Sequence, residues 1–245
     1  LVKLLRDTLV IVKIRSSWIR NQPTLYLGTS FFIPIVLSLL FWMMGMEMTE
    51  RILLGSMVYS LVYPAVATVG KSVAYDKIKG SFTLFSTSPI SPYAYILGTA
   101  LSTLPSSLIP FLMFMLASTL IFGLNLTVIS FILSLMILVF GALSLSFLGF
   151  SLGFRLRDPR SSDVIVDMIW ALMIFLSPVY IPWSRIPEIV RPVSLAMPTT
   201  YLAELLNLVL WGRTFLSTSV LVGANVAFFS FFAMIALRYG KMRES

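Results

Sequence analysis

The chain has 245 residues, of which 58% are hydrophobic and only 11% charged, with a formal net charge of +8 and no cysteine or histidine. A soluble domain carries roughly 25% charged residues because its surface faces water, so most of this surface must face lipid. The missing residue types exclude a disulfide framework, a Cys/His metal site and a histidine-dependent triad.

Residues 1–22 are expected to form an amphipathic helix lying in the membrane interface. On a helical projection Leu1, Leu4, Leu5, Ile11, Val12, Trp18 and Ile19 share one side. Lys3, Arg6, Asp7, Lys13 and Arg20 take the other, with Arg15 out of place. The basic residues interrupt the apolar run and no small-residue cleavage site follows, so a cleaved signal peptide is not expected.

Residues 23–245 read as one all-α membrane domain. A bilayer core of roughly 30 Å takes about 20 apolar residues of helix, and six segments meet that length: 25–44, 52–70, 96–122, 126–154, 164–181 and 215–237. Pro105 and Pro110 should kink the third, since each removes a backbone hydrogen bond. Little more than Gly123, Leu124 and Asn125 joins the third to the fourth. Between the fifth and sixth, 182–212 is broken by Pro187, Pro192 and Pro198. Too long for a turn and too interrupted for a span, it is expected to be an extracellular re-entrant helical hairpin covered by neighbouring protein.

Basic residues accumulate in short cytoplasmic loops. Of the 18 here, Lys3, Arg6, Lys13, Arg15, Arg20, Lys71, Lys77, Lys79, Arg155, Arg157, Arg160, Arg238, Lys241 and Arg243 fall in one set of loops. Arg51, Arg185, Arg191 and Arg213 fall in the other. The bias places both termini in the cytoplasm and sets the positive charge against lipid headgroups rather than nucleic acid. Trp42, Trp183 and Trp211, at the opposite ends of spans, suit interfacial anchors.

Chemistry within the spans is sparse. Intramembrane hydrolysis needs paired carboxylates or an activated serine, and neither can be assembled. Asp167 is the one ionisable residue well inside a span, turned either to cytoplasmic water and a nearby arginine or to a substrate at the inner mouth. Ser56, Tyr59, Ser60, Tyr63 and Gly70 form a stripe on the second span, and Asp163, Asp167, Trp170, Ile174 and Ser177 one on the fifth. Each stripe fits helix packing or the lining of a translocation path. Gly70-Lys71-Ser72 imitates the end of a phosphate loop, but the glycine required five residues earlier is Ala65. In the cytoplasmic loop 75–91, Phe82 and Phe85 between two charged turns fit a partner's groove or the chain's own membrane domain.

That loop resembles the one in the ABC-2 family of exporter permeases, which carries an acidic residue, basic residues, Gly-Thr-Leu, and Pro-Ile or Pro-Val nine residues after the glycine. Here Asp76, Lys79, Gly80-Ser81-Phe82 and Pro89-Ile90 hold that spacing. A second likeness lies in Ser177-Pro178-Val179-Tyr180-Ile181-Pro182, then Met197-Pro198-Thr199-Thr200-Tyr201 and Glu204. Pro178 replaces the family's glycine, Met197 its asparagine, and Asn207 stands where an arginine is common. The resemblance implies a coupling helix in which Asp76, Lys79, Gly80, Ser81, Phe82, Leu84, Phe85 and Pro89 meet a cytoplasmic ABC ATPase subunit. It implies an extracellular gate around Pro182, Pro198, Thr200, Tyr201 and Glu204. The path would run past Ser56, Tyr59, Tyr63, Asp167, Trp170 and Ser177, in a homodimer or heterodimer of permeases. ATP and Mg would be used by the partner subunit and none by this chain. The expected activity is export of an amphipathic or lipid-like substrate such as a drug, lipid or glycan. An ion-gradient-coupled carrier or channel and a non-transporting membrane scaffold are the alternatives.

Overall fold

Apolar runs of this length satisfy their backbone groups in lipid only as helices or closed barrels. The computed structural model, which describes residues 2–43, 50–78, 90–156 and 158–241, has helix and no strand among them. In chain order these are α1 (Val2–Asn21), α2 (Pro23–Leu27), α3 (Ile33–Met43), α4 (Glu50–Val62), α5 (Val69–Ile78) and α6 (Pro92–Leu101). There follow α7 (Thr103–Phe122), α8 (Val128–Arg155), α9 (Pro159–Phe175), α10 (Arg191–Ala196), α11 (Pro198–Trp211) and α12 (Thr218–Lys241). Among the described residues five helical stretches are long and apolar enough to cross a membrane: Pro23–Leu40, Glu50–Lys77, Pro92–Ile121, Val128–Arg155 and Thr218–Tyr239.

Proline sets the irregularities along these stretches. Gly28–Phe32 and Tyr63–Thr68 are π-helical; Pro34 follows the first and Pro64 lies in the second. A ring that cannot donate to the carbonyl four residues back lets the ladder take up one extra residue. The third stretch breaks at Ser102, where Pro105 denies Leu101 its bond, and continues as α7 through Pro110. Pro110 likewise frees the Ser106 carbonyl, which accepts the buried Tyr26 hydroxyl at 3.4 Å.

Several boundaries differ from those expected. The link between α7 and α8 is 123–127, because Thr127 and Ser130 form a capping box that delays α8 to Val128. The fifth segment is α9, displaced towards the N-terminus and ending at Phe175, since Pro178 cannot continue it and the chain turns over 176–180. Its start is fixed by Asp158, whose carboxylate accepts the Ser161 N–H at 2.8 Å with Pro159 at the first helical position. Those bonds hold the Asp158 carboxyl below its ordinary pKa. The cap is therefore fully present above about pH 4 and is lost as pH falls through the lowered value. The protection factor of the Ser161 amide, referred to intrinsic exchange at each pH, should fall only there.

The α4–α5 stretch is the central post: 89% of its most apolar window is buried, against 22–39% for the other four. It can sit there because α8 presents Gly149 and Gly153 to its backbone. A Cβ at Gly149 would lie 2.4 Å from the Ala65 carbonyl oxygen, and one at Gly153 2.2 Å from that of Gly70. Around the post, α12 packs on α8 through Phe229, stacked on Phe140 at 4.6 Å, and Tyr239, whose hydroxyl accepts from Arg155 at 2.6 Å.

The face of α1 differs most from the projection. Its buried side carries Asp7, Thr8 and Ile11 and packs on α6, while Leu5, Leu9 and Ile14 are exposed. Asp7 therefore belongs with the buried residues, and Arg15 is no exception: it faces inward to a carboxylate on α5.

Candidate functional site

The helix ends bearing Lys71, Lys77, Arg155 and Arg238 gather at one end of the bundle, termed the basic end. Lys77 donates to the carbonyl of Phe154 at 2.8 Å, tying α5 to the C-terminus of α8. Such a cation also suits the negative end of a helix dipole.

Beside it, Arg15 of α1, Asp76 of α5 and Tyr95 of α6 form a closed triad. The Arg15 guanidinium is ion-paired with Asp76 and donates to the Tyr95 hydroxyl at 2.9 Å. Tyr95 donates to Asp76 at 2.8 Å. The triad brackets the loop that begins after Ile78 and ends at the N-terminus of α6. Asp76 is the described member of the expected coupling set; Lys79, Gly80, Ser81, Phe82, Leu84, Phe85 and Pro89 lie outside the described residues.

The two stripes do come together, at the basic end between α4–α5 and α9. Asp167 accepts from Lys71 at 2.8 Å and from the Trp170 indole N–H at 2.9 Å. Its partner is thus a lysine one helix away. One turn nearer the loop, Tyr75 donates to Asp163 at 2.8 Å. Tyr59 and Tyr63 stack 5.7 Å apart, and Trp170 stands edge-on to both at 5.6 and 5.5 Å. Tyr63, Asp167 and Trp170 remain partly open. Ser56 is fully buried 3.1 Å from Ser38, and Ser177 is buried 2.6 Å from Thr199, so both hydroxyls serve helix contacts within the chain. Tyr59 is also fully buried, with a hydroxyl that has no partner among the described residues.

At the far end, α10 and α11 pack under the break that follows α9. Thr199 donates to the Met173 carbonyl at 2.6 Å, and Ser194 donates to that of Leu176. Each takes a carbonyl from the C-terminal part of α9. Thr200 donates to Ser194 O at 2.5 Å and Tyr201 to Leu195 O at 2.7 Å, closing the α10–α11 turn; Pro198 starts α11, and Pro182 caps the 3-10 turn Trp183–Arg185. Glu204, 2% exposed, pairs with Arg51 of α4 at 2.5 Å, and Arg51 also donates to the Pro178 carbonyl. The sequence reading missed Arg51, Lys71, Arg15 and Tyr95. A lone glutamate in an apolar segment demands a cation, and Arg51 was a candidate by that demand alone.

Carbonyl-capping hydroxyls and internally matched charges hold this chain together, and the partly open groups gather at one mouth. No curated protein matches the chain in sequence. The family model described as ABC-2 type transporter matches residues 8–211, and the chain belongs to that family.

Proposed function

We propose that the chain is the permease subunit of an ABC exporter, paired with a second permease and driven by separate cytoplasmic ATPase subunits that use ATP and Mg. The basic end is then cytoplasmic by the positive-inside rule, and α1 lies along the inner interface. α9 with the turn after it makes the sixth crossing, and α10–α11 form the re-entrant hairpin at the outer face. The path follows the partly open Tyr63, Asp167 and Trp170 towards Pro182, Pro198, Thr200, Tyr201 and Glu204. Buried Ser56, Tyr59 and Ser177 stand behind it. With Asp167 neutralised by Lys71 and aromatic rings alongside, the lining favours an amphipathic or lipid-like cargo over a small ion.

The observation that carries this reading is the Arg15–Asp76–Tyr95 triad. It joins both roots of the expected coupling helix, α5 and α6, to each other and to α1, so force on the loop reaches several helices together. Binding energy becomes work only if the loop contacts the ATPase differently in its two states. The test is co-expression with a candidate ABC ATPase subunit from the same genome. Co-purification and raised ATP turnover are expected, and both should fall with Gly80 or Phe82 substituted while the fold persists. Absence of binding and of stimulation in the wild type would end the proposal.

Arg15→Ala should behave differently from loop variants. A hydrogen bond to a charged group contributes about 1.5–3 kcal/mol, so the chain should still fold and bind the ATPase. Substrate-stimulated turnover should drop because the loop roots no longer move with α1.

A further inference from the structure

A groove of about 600 Å³ runs between α8, α11 and α12, in the size range of specific ligand sites. Its walls are apolar: Met136 and Phe140 from α8, Leu205 and Val209 from α11, Val222 and Val226 from α12. Of the α8 residues lining it, Ile137 is buried and Phe140 is stacked on Phe229. The polar side chains lining it are Thr218, at the far-end start of α12, and Asn225, whose amide donates to the Leu221 carbonyl at 2.9 Å.

We propose that this groove holds an acyl chain of a bilayer phospholipid from the leaflet at the far end. Lining residues Leu133 and Phe140 are seven residues apart on α8, a rise of about 10 Å at ~1.5 Å per residue. That is most of the roughly 15 Å depth of one leaflet, half of a ~30 Å core. The medium outside the groove is itself acyl chain, so a lipid tail enters with no polar group to desolvate. Just before the lining residue Thr218, the connection 212–217 between two of the lining helices carries Arg213, whose side chain is 74% exposed. Its ion pair with Glu50, at 3.1 Å, is of the weak exposed kind, so a phosphate can share the guanidinium. A tail seated there packs against α11, the helix that bears Glu204, and braces it. The inference does not depend on the chain being a transporter.

The test places the purified full-length chain in nanodiscs of synthetic phosphatidylglycerol carrying a photoactivatable diazirine on one acyl chain, with adducts mapped by peptide mass spectrometry. Adducts should concentrate in 202–209 and 218–226. Leu205→Trp with Val222→Trp should abolish them there while leaving those in the lipid-facing stretch 108–121 unchanged. Arg213→Gln should reduce groove adducts without filling the groove. Adducts spread evenly over all lipid-facing stretches in the wild type would overturn the proposal even if the filled variant does not fold. So would adducts in 202–209 and 218–226 unchanged by filling, or disulfide-linked dimers from Val226→Cys in this cysteine-free chain, which would make the occupant a second copy.

Discussion

Gly153→Ala is expected to cost the chain much of its stability, and Gly153→Leu to prevent folding. A Cβ at this position would stand 2.2 Å from the Gly70 carbonyl oxygen, a backbone atom that cannot swing aside as a side-chain tip can. Relief requires α8 to move away from α5, and the same shift would open the Gly149–Ala65 contact one turn earlier. Overpacking a core costs about 1–3 kcal/mol and occasionally more, against a total stability of roughly 5–15 kcal/mol. Here the whole interface with the central post is affected, which places the expected cost at the upper end. Thermal unfolding of the detergent-purified chain measures it. An alanine variant that unfolds at the wild-type temperature would mean that the two backbones do not approach this closely.

Glu204→Ala should be nearly as damaging, by a different route. The substitution leaves the Arg51 guanidinium largely buried, with the Pro178 carbonyl as its remaining hydrogen-bond acceptor among the described residues. Breaking a buried pair from one side costs about 3–5 kcal/mol, because the remaining charge is uncompensated. Removing both charges with Arg51→Met and Glu204→Met should recover much of the loss, since buried pairs are often replaceable by apolar residues. Unfolding temperatures of the two singles and the double form a cycle, and additive losses would show that the groups do not interact. In transport terms, the pair ties α4 to α11. Its loss should also raise basal leak through the far end if that region is the gate.

The helical class, its membrane setting and most span positions were legible in the sequence, because lipid imposes a length and an apolarity on any helix that crosses it. Proline positions were informative in the same way at Pro105, where a missing backbone donor breaks the third stretch; the π-helix around Pro64 and the end of α9 before Pro178 have the same cause but were not foreseen. The boundaries of α8 and α9 were less visible, since they turn on the Thr127 and Asp158 caps, which a hydropathy window ignores. On α1 the projection failed for a stated reason. A helix packed against protein on one side and exposed elsewhere has more than two faces, so Asp7 and Arg15 could be buried while Leu5 and Leu9 were not.

What the residues by themselves determined is a chain that must live in a membrane, with its positive charge at one end and its irregular backbone at the other. Those properties depend on counts and local spacing. Which charge meets which was decided only by the tertiary structure. Arg15 is 61 residues from Asp76, Lys71 is 96 from Asp167 and Arg51 is 153 from Glu204. No local rule couples positions so far apart. It is the close seating of α4–α5 against Gly149 and Gly153 that brings α1, α9 and α11 near enough to the post for these pairs to close.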